Sequence, residues 1–597
     1  MTRRAFSGAI PGAAALALGG RDEAAGQTAC EPSAPISPDE ARFEAIAEAE
    51  WNWRRAQFAD YNENEPIPPY LPDVSAEAQE ARLQKWRGIE TELASFNPAS
   101  FSIIEKDNFV VYKGQIDARL ASWSFKDWQA PFNSDTSFWA EMLGVTHRTF
   151  HGQEDYSAYI AQIRQTPRFF AQQIAAMRLG MARGFTPPKV TLHGRDESVA
   201  TVAEAASPEA TEFFKPFTAM PDTMEPALKA ELVAEGRAVI ASEVIPAHRQ
   251  LLAFLRSEYL PRCRETIAAE ALPDGKAYYL SKIREFTTLD LPPEEIHATG
   301  LSELAKIRAE MAQTMKEAEF TGDFPGFVAL LRSDPRFYVK TPQDLLDAAA
   351  WICKEVDGKA KDWFGRLPRA RFGIRPVPAS IAPFYTAGRG GLGVYLLNTY
   401  DLPARPLYAL TALTLHESAP GHAFQIPLAL EIPDLPDYRR KSYISAYGEG
   451  WALYCERLGM EMDMYKTAYD RFGMLSYQAW RACRLVVDTG IHAMGWSRER
   501  AIDYLAANTA LSSQEIGTEV DRYISWPGQA LSYYLGEMAI WTSRRKAETA
   551  LGPKFEIRHF HDAVLKLGCV PLSVIGDRID RFITEGGRSP WPPSGAT

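Results

Sequence analysis

With 597 residues, 46% of them hydrophobic and 11% aromatic, the chain can bury one very large core or two to three ordinary ones. Its formal net charge of −11 leaves no basic surface to follow a phosphate backbone, so nucleic acid is excluded as an expected partner. No apolar stretch reaches the roughly 20 residues that span a bilayer, so no transmembrane helix is expected.

The chain opens MTRRAFSGAIPGAAALALGG, with Arg3-Arg4 ahead of Phe6 and a short apolar run over residues 9–18. This is the layout of a twin-arginine signal, read by a translocon for folded proteins, and it predicts an exported, periplasmic protein. The plainer reading is an Ala/Gly-rich tail that begins with two arginines by chance. Ala24-Ala25-Gly26 offers a cleavage site, and Gln27-Thr28-Ala29-Cys30 offers a lipid-attachment box at Cys30 without the usual Leu. Residues 1–30 are therefore set apart as a signal peptide.

Beyond the leader, apolar residues three and four apart predict long helices over residues 39–56, 156–183, 225–259, 293–318 and 341–365. Pro and Gly punctuate them at Thr186-Pro187-Pro188 and Leu272-Pro273-Asp274-Gly275. Strand signal is scarce. The best candidate is GVYLLNT, residues 393–399, after the Gly-rich loop Gly388-Arg389-Gly390-Gly391. This pattern suggests an N-terminal helical region, 31–280, and a C-terminal helical region, 281–597, that carries the chemistry; one continuous domain is equally compatible. Cys30, Cys263, Cys353, Cys455, Cys483 and Cys569 include no C-x-x-C pair and are too few for a disulfide framework. Most are expected to be small core residues; a Cys455–Cys483 bridge would need their helices to pack together.

The chemistry concentrates after residue 410, starting with LTALTLHESAPGHAFQ. A zinc hydrolase needs imidazoles or carboxylates on the metal, an open position, and a carboxylate base off the metal. His416 and Glu417 suit two of these roles. The second histidine, His422, stands six residues after the first, about 120° off its face in a regular helix. Pro420 and Gly421 supply the break that can bring it back: proline cannot donate to the preceding turn, and glycine takes conformations barred to other residues.

A third ligand is offered by SAYGEGWALYCERLG, where Glu449 lies on what reads as the next long helix. Glu456, seven residues on and on the same face, either orients a histidine from behind or takes the ligand role itself. Next, WRACRLVVDTGIHAMGW carries Arg481, Arg484, Asp488 and His492 as a single polar stripe on an apolar helix. The stripe is either an internal ion-pair seam or the wall of a wet cleft. In the cleft reading, His492 bonds substrate or a developing oxyanion, and Asp488 sets the charge balance. Finally EVDRYISWPGQALSYYLG contributes Arg522, Tyr523, Gln529 and Tyr533. A tyrosine hydroxyl can stabilise an oxyanion and an arginine can hold a substrate carboxylate, although such residues are more often core tyrosines and surface arginines.

In order along residues 156–589, the segments RGFTPPKV, LPDGKAYY, PPEEIHATGL, NTYDLPARP, HESAPGH, GEGWALYCE, RLVVDTGIH and RYISWPGQALSY resemble the bacterial family DUF885, which looks like a group of zinc-dependent peptidases. The resemblance implies a mainly α fold: a large multi-helix, zinc-peptidase-like (gluzincin-like) body with a small β-sheet near the active site. It implies one Zn2+ per chain on His416, His422 and Glu449, with Glu417 as general base. Family members often carry a further histidine where this chain has Ala423, a departure that leaves the implied metal set intact.

The expected function is an exported zinc peptidase acting on short peptides. Tyr523 or Tyr533, with His492, would stabilise the oxyanion; Arg522, Arg484, Gln529 and Asn398 would hold substrate; Glu456 and Asp488 would support from behind. By analogy with helical zinc peptidases, the strand ending at Asn398 would offer its free edge to an extended peptide. Competing readings are a zinc hydrolase of a non-peptide amide or ester, an inactive peptide-binding protein, and a helical scaffold. The last leaves the polar stripe and Glu449 without purpose.

Overall fold

The structure, a computed structural model, describes residues 37–60, 65–379, 382–433 and 435–591. The segment read as a twin-arginine signal and Cys30 lie outside the described residues. The fold is mainly helical with one three-stranded sheet, and packing divides the chain into two compact units.

One unit takes in the described residues up to Phe109 together with Ser122–Arg264. Its first helix, Pro38–Phe58, starts from a capping box in which Ser37 and Glu40 satisfy each other's backbone N–H groups. The predicted helix over 156–183 is two helices, Gln153–Ile163 and Thr166–Ala182. Pro167 sits in the first turn of the second, where a missing N–H costs nothing. The helical run Pro226–Arg262 contains wider π-type turns at Ile240–Val244 and Leu255–Tyr259. Pro246 and Pro261 follow them closely, and a proline ring pushes the preceding turn open.

By length and composition this run is apolar enough to cross a membrane, which the sequence reading did not anticipate. Its apolar side instead fills a protein core: Leu251, Leu255 and Tyr259 pack among Phe132, Phe138 and Phe170. Its other side carries ion pairs such as Glu235 with Arg164 and Arg256 with Asp196.

The second unit comprises Val110–Ala121 and the described residues from Glu265 onward. Its first long helices are α1 (Gly275–Thr287), within which residue 280 falls, α2 (Pro293–Glu317) and α3 (Pro342–Trp363). A sheet follows, built from β1 (Gly373–Pro376), β2 (Gly388–Gly391) and β3 (Val394–Leu397). Then come α4 (Leu407–Glu417), α5 (His422–Leu430), α6 (Ser445–Glu461), α7 (Ala468–Ala493), α8 (Ser513–Ser525) and α9 (Ser532–Leu551).

From Phe472 to His492, α7 is buried on nearly every side, which makes it the core helix of this unit. Helix α2 lies along it so closely that a Cβ on Gly300 would sit 2.7 Å from the Cβ of Leu485. Helices α6 and α9 meet through two glycines: a Cβ on Gly450 would lie 2.5 Å from the Gly536 carbonyl carbon, and one on Gly536 would lie 2.0 Å from the Ala446 oxygen.

The sheet order is β1-β3-β2, with β3 parallel to β1 and antiparallel to β2. The predicted strand is therefore the central one and has no free edge. The Gly-rich segment read as a loop is the edge strand β2, with Gly390 opposite Tyr395. Glycine carries little strand propensity of its own, so the pairing is dictated by β3. The Asn398 N–H donates to the Ala387 oxygen, so by strand alternation the backbone groups of Gly388 and Gly390 point away from β3.

Candidate metal centre

Helix α4 delivers His416 in its last turn and stops at Glu417. Ser418 through Gly421 form a turn, and α5 begins at His422. The kink expected inside one helix is thus a four-residue break between two helices. Within it, the Gly421 N–H donates to the Leu415 oxygen at 3.0 Å, and a Cβ on Gly421 would lie 1.9 Å from the His416 oxygen. Only glycine fits there. The Trp451 indole N–H clamps the turn from α6 by donating to the Pro420 oxygen at 2.8 Å. The result sets the two imidazoles edge to face, with ring centroids 4.9 Å apart.

Glu449 reaches them from the first half of α6. Its Oε2 lies 3.5 Å from His416 Nε2 and 3.3 Å from His422 Nε2. The flanking glycines explain how it gets so deep. Gly448 leaves room for the Tyr443 ring, which a Cβ would meet at 2.4 Å, and Gly450 allows α9 to press against α6. The Tyr443 hydroxyl then donates to Glu449 Oε1 at 3.0 Å. Behind His416, Nδ1 bonds Glu456 Oε1 at 2.8 Å, and Glu456 in turn pairs with Arg481 at 3.2 Å. This orders the glutamates: Glu449 faces both imidazoles, and Glu456 supports one from behind. His422 Nδ1 is buried without a hydrogen-bond partner.

The three ligand-type atoms all fall within 4.8 Å of one another. A tetrahedral zinc with bonds of about 2.0–2.1 Å spaces its ligand atoms roughly 3.3 Å apart, so this donor set fits the ion. The electrostatics call for a cation. Burial disfavours charge on His416, yet Glu449, Glu456 and Glu417 outweigh it and pull its pKa up to about 10. Burial likewise opposes ionisation of Glu449, but the two histidines hold its carboxyl well below the usual range. Burial and the Glu449 charge keep the Tyr443 hydroxyl protonated.

Glu417 lies partly exposed beside this cluster, under β2. Its Oε2 accepts the Gly390 N–H at 2.6 Å, and a Cβ on Gly390 would come within 1.6 Å of the Glu417 backbone oxygen. Tyr533, from the start of α9, stacks on His416 with rings 15° from parallel and centroids 6.4 Å apart. The Arg522 guanidinium donates to the Tyr533 hydroxyl at 3.4 Å and to Gln529 Oε1 at 3.3 Å.

Other predicted residues are used elsewhere. His492 is fully buried: Nδ1 accepts the Ala269 N–H at 3.0 Å, and Nε2 bonds the Tyr523 carbonyl at 2.9 Å. With both nitrogens committed to backbone, it has no donor for an oxyanion. Asp488 accepts the Tyr279 hydroxyl and the Gly528 N–H, and its burial raises its pKa to about 7. The Tyr523 hydroxyl oxygen accepts from Trp480 Nε1 at 2.9 Å and Arg484 Nε at 3.1 Å, bracing the protein instead of the cleft. Asn398 is fully buried and ties Ala382 and Tyr385 through its amide, so it does not line a substrate site. The polar stripe of α7 is thus the internal seam of the two readings. Cys263, Cys353, Cys455, Cys483 and Cys569 are all free, and Cys455 and Cys483 form no bridge.

Sequence reasoning missed Tyr443 and Gly390, which touch Glu449 and Glu417. The signal for Tyr443 lay in Gly448, which had no stated partner; Gly390 was visible only as part of a Gly-rich run.

The sequence pattern of DUF885, described as a bacterial protein of unknown function, matches residues 67–579. The chain belongs to the DUF885 family. Among solved structures, this DUF885 protein is similar to a "putative lipoprotein" from Colwellia psychrerythraea, with a TM-score of 0.83 and 26% identity over 92% of this chain and 98% of that one. It also shares its fold with a protein of unknown function from Shewanella oneidensis, described in the same words, with a TM-score of 0.65 and 17% identity over 91% of this chain and 99% of the other. No curated protein matches it in sequence.

Proposed function

We propose that this protein is an exported zinc-dependent peptidase that hydrolyses peptide bonds in short peptides. One observation carries the reading: His416, His422 and Glu449 converge at ligand spacing, with Glu417 next in sequence and free of that triad. Bound there, zinc would polarise a carbonyl and make water acidic enough to lose a proton near neutral pH. Glu417 is the base that takes this proton. Its Oε2 is held by Gly390, which leaves Oε1 to receive the proton and pass it to the leaving amine. Tyr533 accepts a hydrogen bond from Arg522, so its own hydroxyl proton is available to the oxygen of the attacked carbonyl.

The outward Gly390 carbonyl, on the edge strand beside Glu417, favours an extended peptide over a non-peptide amide or ester. The body is gluzincin-like in this reading, with its small sheet at the catalytic base. Export rests on Arg3-Arg4 and the apolar run after it, supported by the description of the Colwellia relative as a "putative lipoprotein"; Cys30 is the candidate attachment point.

The test is metal content of the wild type beside His422→Ala and Glu449→Ala, with cleavage of a mixed oligopeptide pool followed in the same samples. About one zinc per chain, lost with cleavage in both variants, is the expected result. Zinc binding without any cleavage would move the amide or ester hydrolase ahead. Folded protein that takes up no zinc would overturn the reading.

A further inference from the structure

A cavity of about 240 Å3 lies between the sheet and helices α4, α7 and α8. Its walls are mostly apolar or aromatic, with Leu397, Leu410, Leu413 and Leu511 beside Tyr408 and Tyr477. Of the three charged residues that reach it, Arg405 and Glu515 pair with each other at 3.4 Å, and Arg332 donates to the Leu511 carbonyl. An apolar cavity of about 150 Å3 admits a benzene ring, so this one has room for an aromatic or branched aliphatic side chain. A charged side chain would give up its water to walls whose ions are already engaged.

Four elements lead from this cavity to the metal centre, because residues four apart share a helix face and residues two apart share a strand face. On α4, Leu413 stands one turn before Glu417. On α7, Tyr477 stands one turn before Arg481, the partner of Glu456, and Arg484 beyond it lies 4.2 Å over the Tyr533 ring. On α8, Glu515 stands one turn before Glu519, which pairs with Arg484 at 2.7 Å. On β3, Leu397 shares a face with Tyr395, the residue opposite Gly390.

Trp480 is the one residue between Phe472 and His492 on α7 that is not buried, and it falls between Tyr477 and Arg484. Solvent therefore reaches the stretch that joins the cavity to Tyr533. One helical turn is about 5.4 Å, less than two residues of extended chain at about 3.3–3.6 Å each. A residue flanking the scissile bond is within reach of the cavity. We infer that the cavity receives a side chain of the substrate, so that the protein cuts beside large apolar residues such as Phe and Leu. This rests on the peptidase reading above.

The experiment compares matched N-acetylated peptides that differ at one internal position, Phe, Ala or Asp, on the zinc-loaded protein, with the cut located by mass spectrometry. The Phe peptide should be cut at a bond flanking Phe, with kcat/KM about 10- to 100-fold above the Ala peptide and the Asp peptide poorest. In Leu410→Trp, whose larger ring occupies the cavity, the Phe-to-Ala ratio should fall toward one. Indole added to the wild type should lower that ratio in the same way, which keeps the test open if the variant does not fold.

Equal cleavage of the three peptides, or a full Phe preference in folded Leu410→Trp, would overturn the inference and leave the peptidase reading in place. Cleavage of none of them, nor of the mixed pool, would overturn both.

Discussion

Glu417 and Glu456 are both carboxylates within reach of one histidine's surroundings, yet their contacts separate them. Glu456 is fully buried and bonds His416 Nδ1, so it fixes the ring and touches nothing that reacts. Glu417 is partly exposed, with one oxygen tied to the Gly390 backbone. Their amide variants should fail in opposite ways. Glu417→Gln should keep its zinc and lose about 100- to 10,000-fold in turnover. Glu456→Gln should weaken zinc by about 10- to 100-fold, and turnover should recover at saturating metal. Chelator competition read beside kcat for each variant checks both halves; a Glu456→Gln variant that stays inactive when fully loaded would place that carboxylate in the chemistry itself.

At the scale of elements, the centre depends on how closely α9 lies on α6. A Cβ on Gly536 would press to 2.0 Å from the Ala446 oxygen, and backbone cannot yield as a flexible side chain does. Gly536→Ala should therefore cost about 1–3 kcal/mol. It should also weaken zinc, because Glu449 rides on the displaced helix; a thermal melt and a zinc titration of the variant test the two effects together.

The same pair of helices buries Glu537, whose burial raises its pKa to about 8 despite the nearby Arg457. Between the ordinary value of 4.5 and about 8, the unfolded chain has lost this proton while the folded chain keeps it. Stability from this group thus falls as pH rises through that window. Glu537→Gln keeps an oxygen to accept from Gln478 and Trp541 without a charge to bury. It should match the wild type near pH 4.5 and exceed it above pH 8 by up to a few kcal/mol. Melts across that range would show a widening gap; a constant gap would mean Glu537 does not titrate there.

Which elements were legible follows from where their information lies. The motif around His416 is local: Pro420 and Gly421 announce the break, and Glu449 stands between two glycines. Strand β2 was hidden because its glycines carry no strand preference and only its partner specifies the pairing. His492, Asp488 and Asn398 were indistinguishable in sequence from cleft residues, since their partners, Ala269, Tyr279 and Ala382, are remote in the chain.

For the whole molecule, the question is whether the fold needs the metal. In a small zinc domain the ion supplies the folding energy outright. Here the helices around the donors are held by packing of the protein itself: α7 is buried along most of its length, α2 runs along it, and α9 locks on α6 through glycines. None of the five described cysteines is bridged, so no covalent link shares the load. Chelation should therefore leave the helical signal in circular dichroism intact while lowering the melting temperature. Returning zinc at about 100 times its dissociation constant should restore about 2.7 kcal/mol. Reductant should change neither form. The protein would then stay folded while the site fills and empties, because Glu449, Tyr443 and the Glu456–His416 pair are set in place by the helices and not by the ion. Loss of helix on chelation would reverse that order and make the ion part of the core.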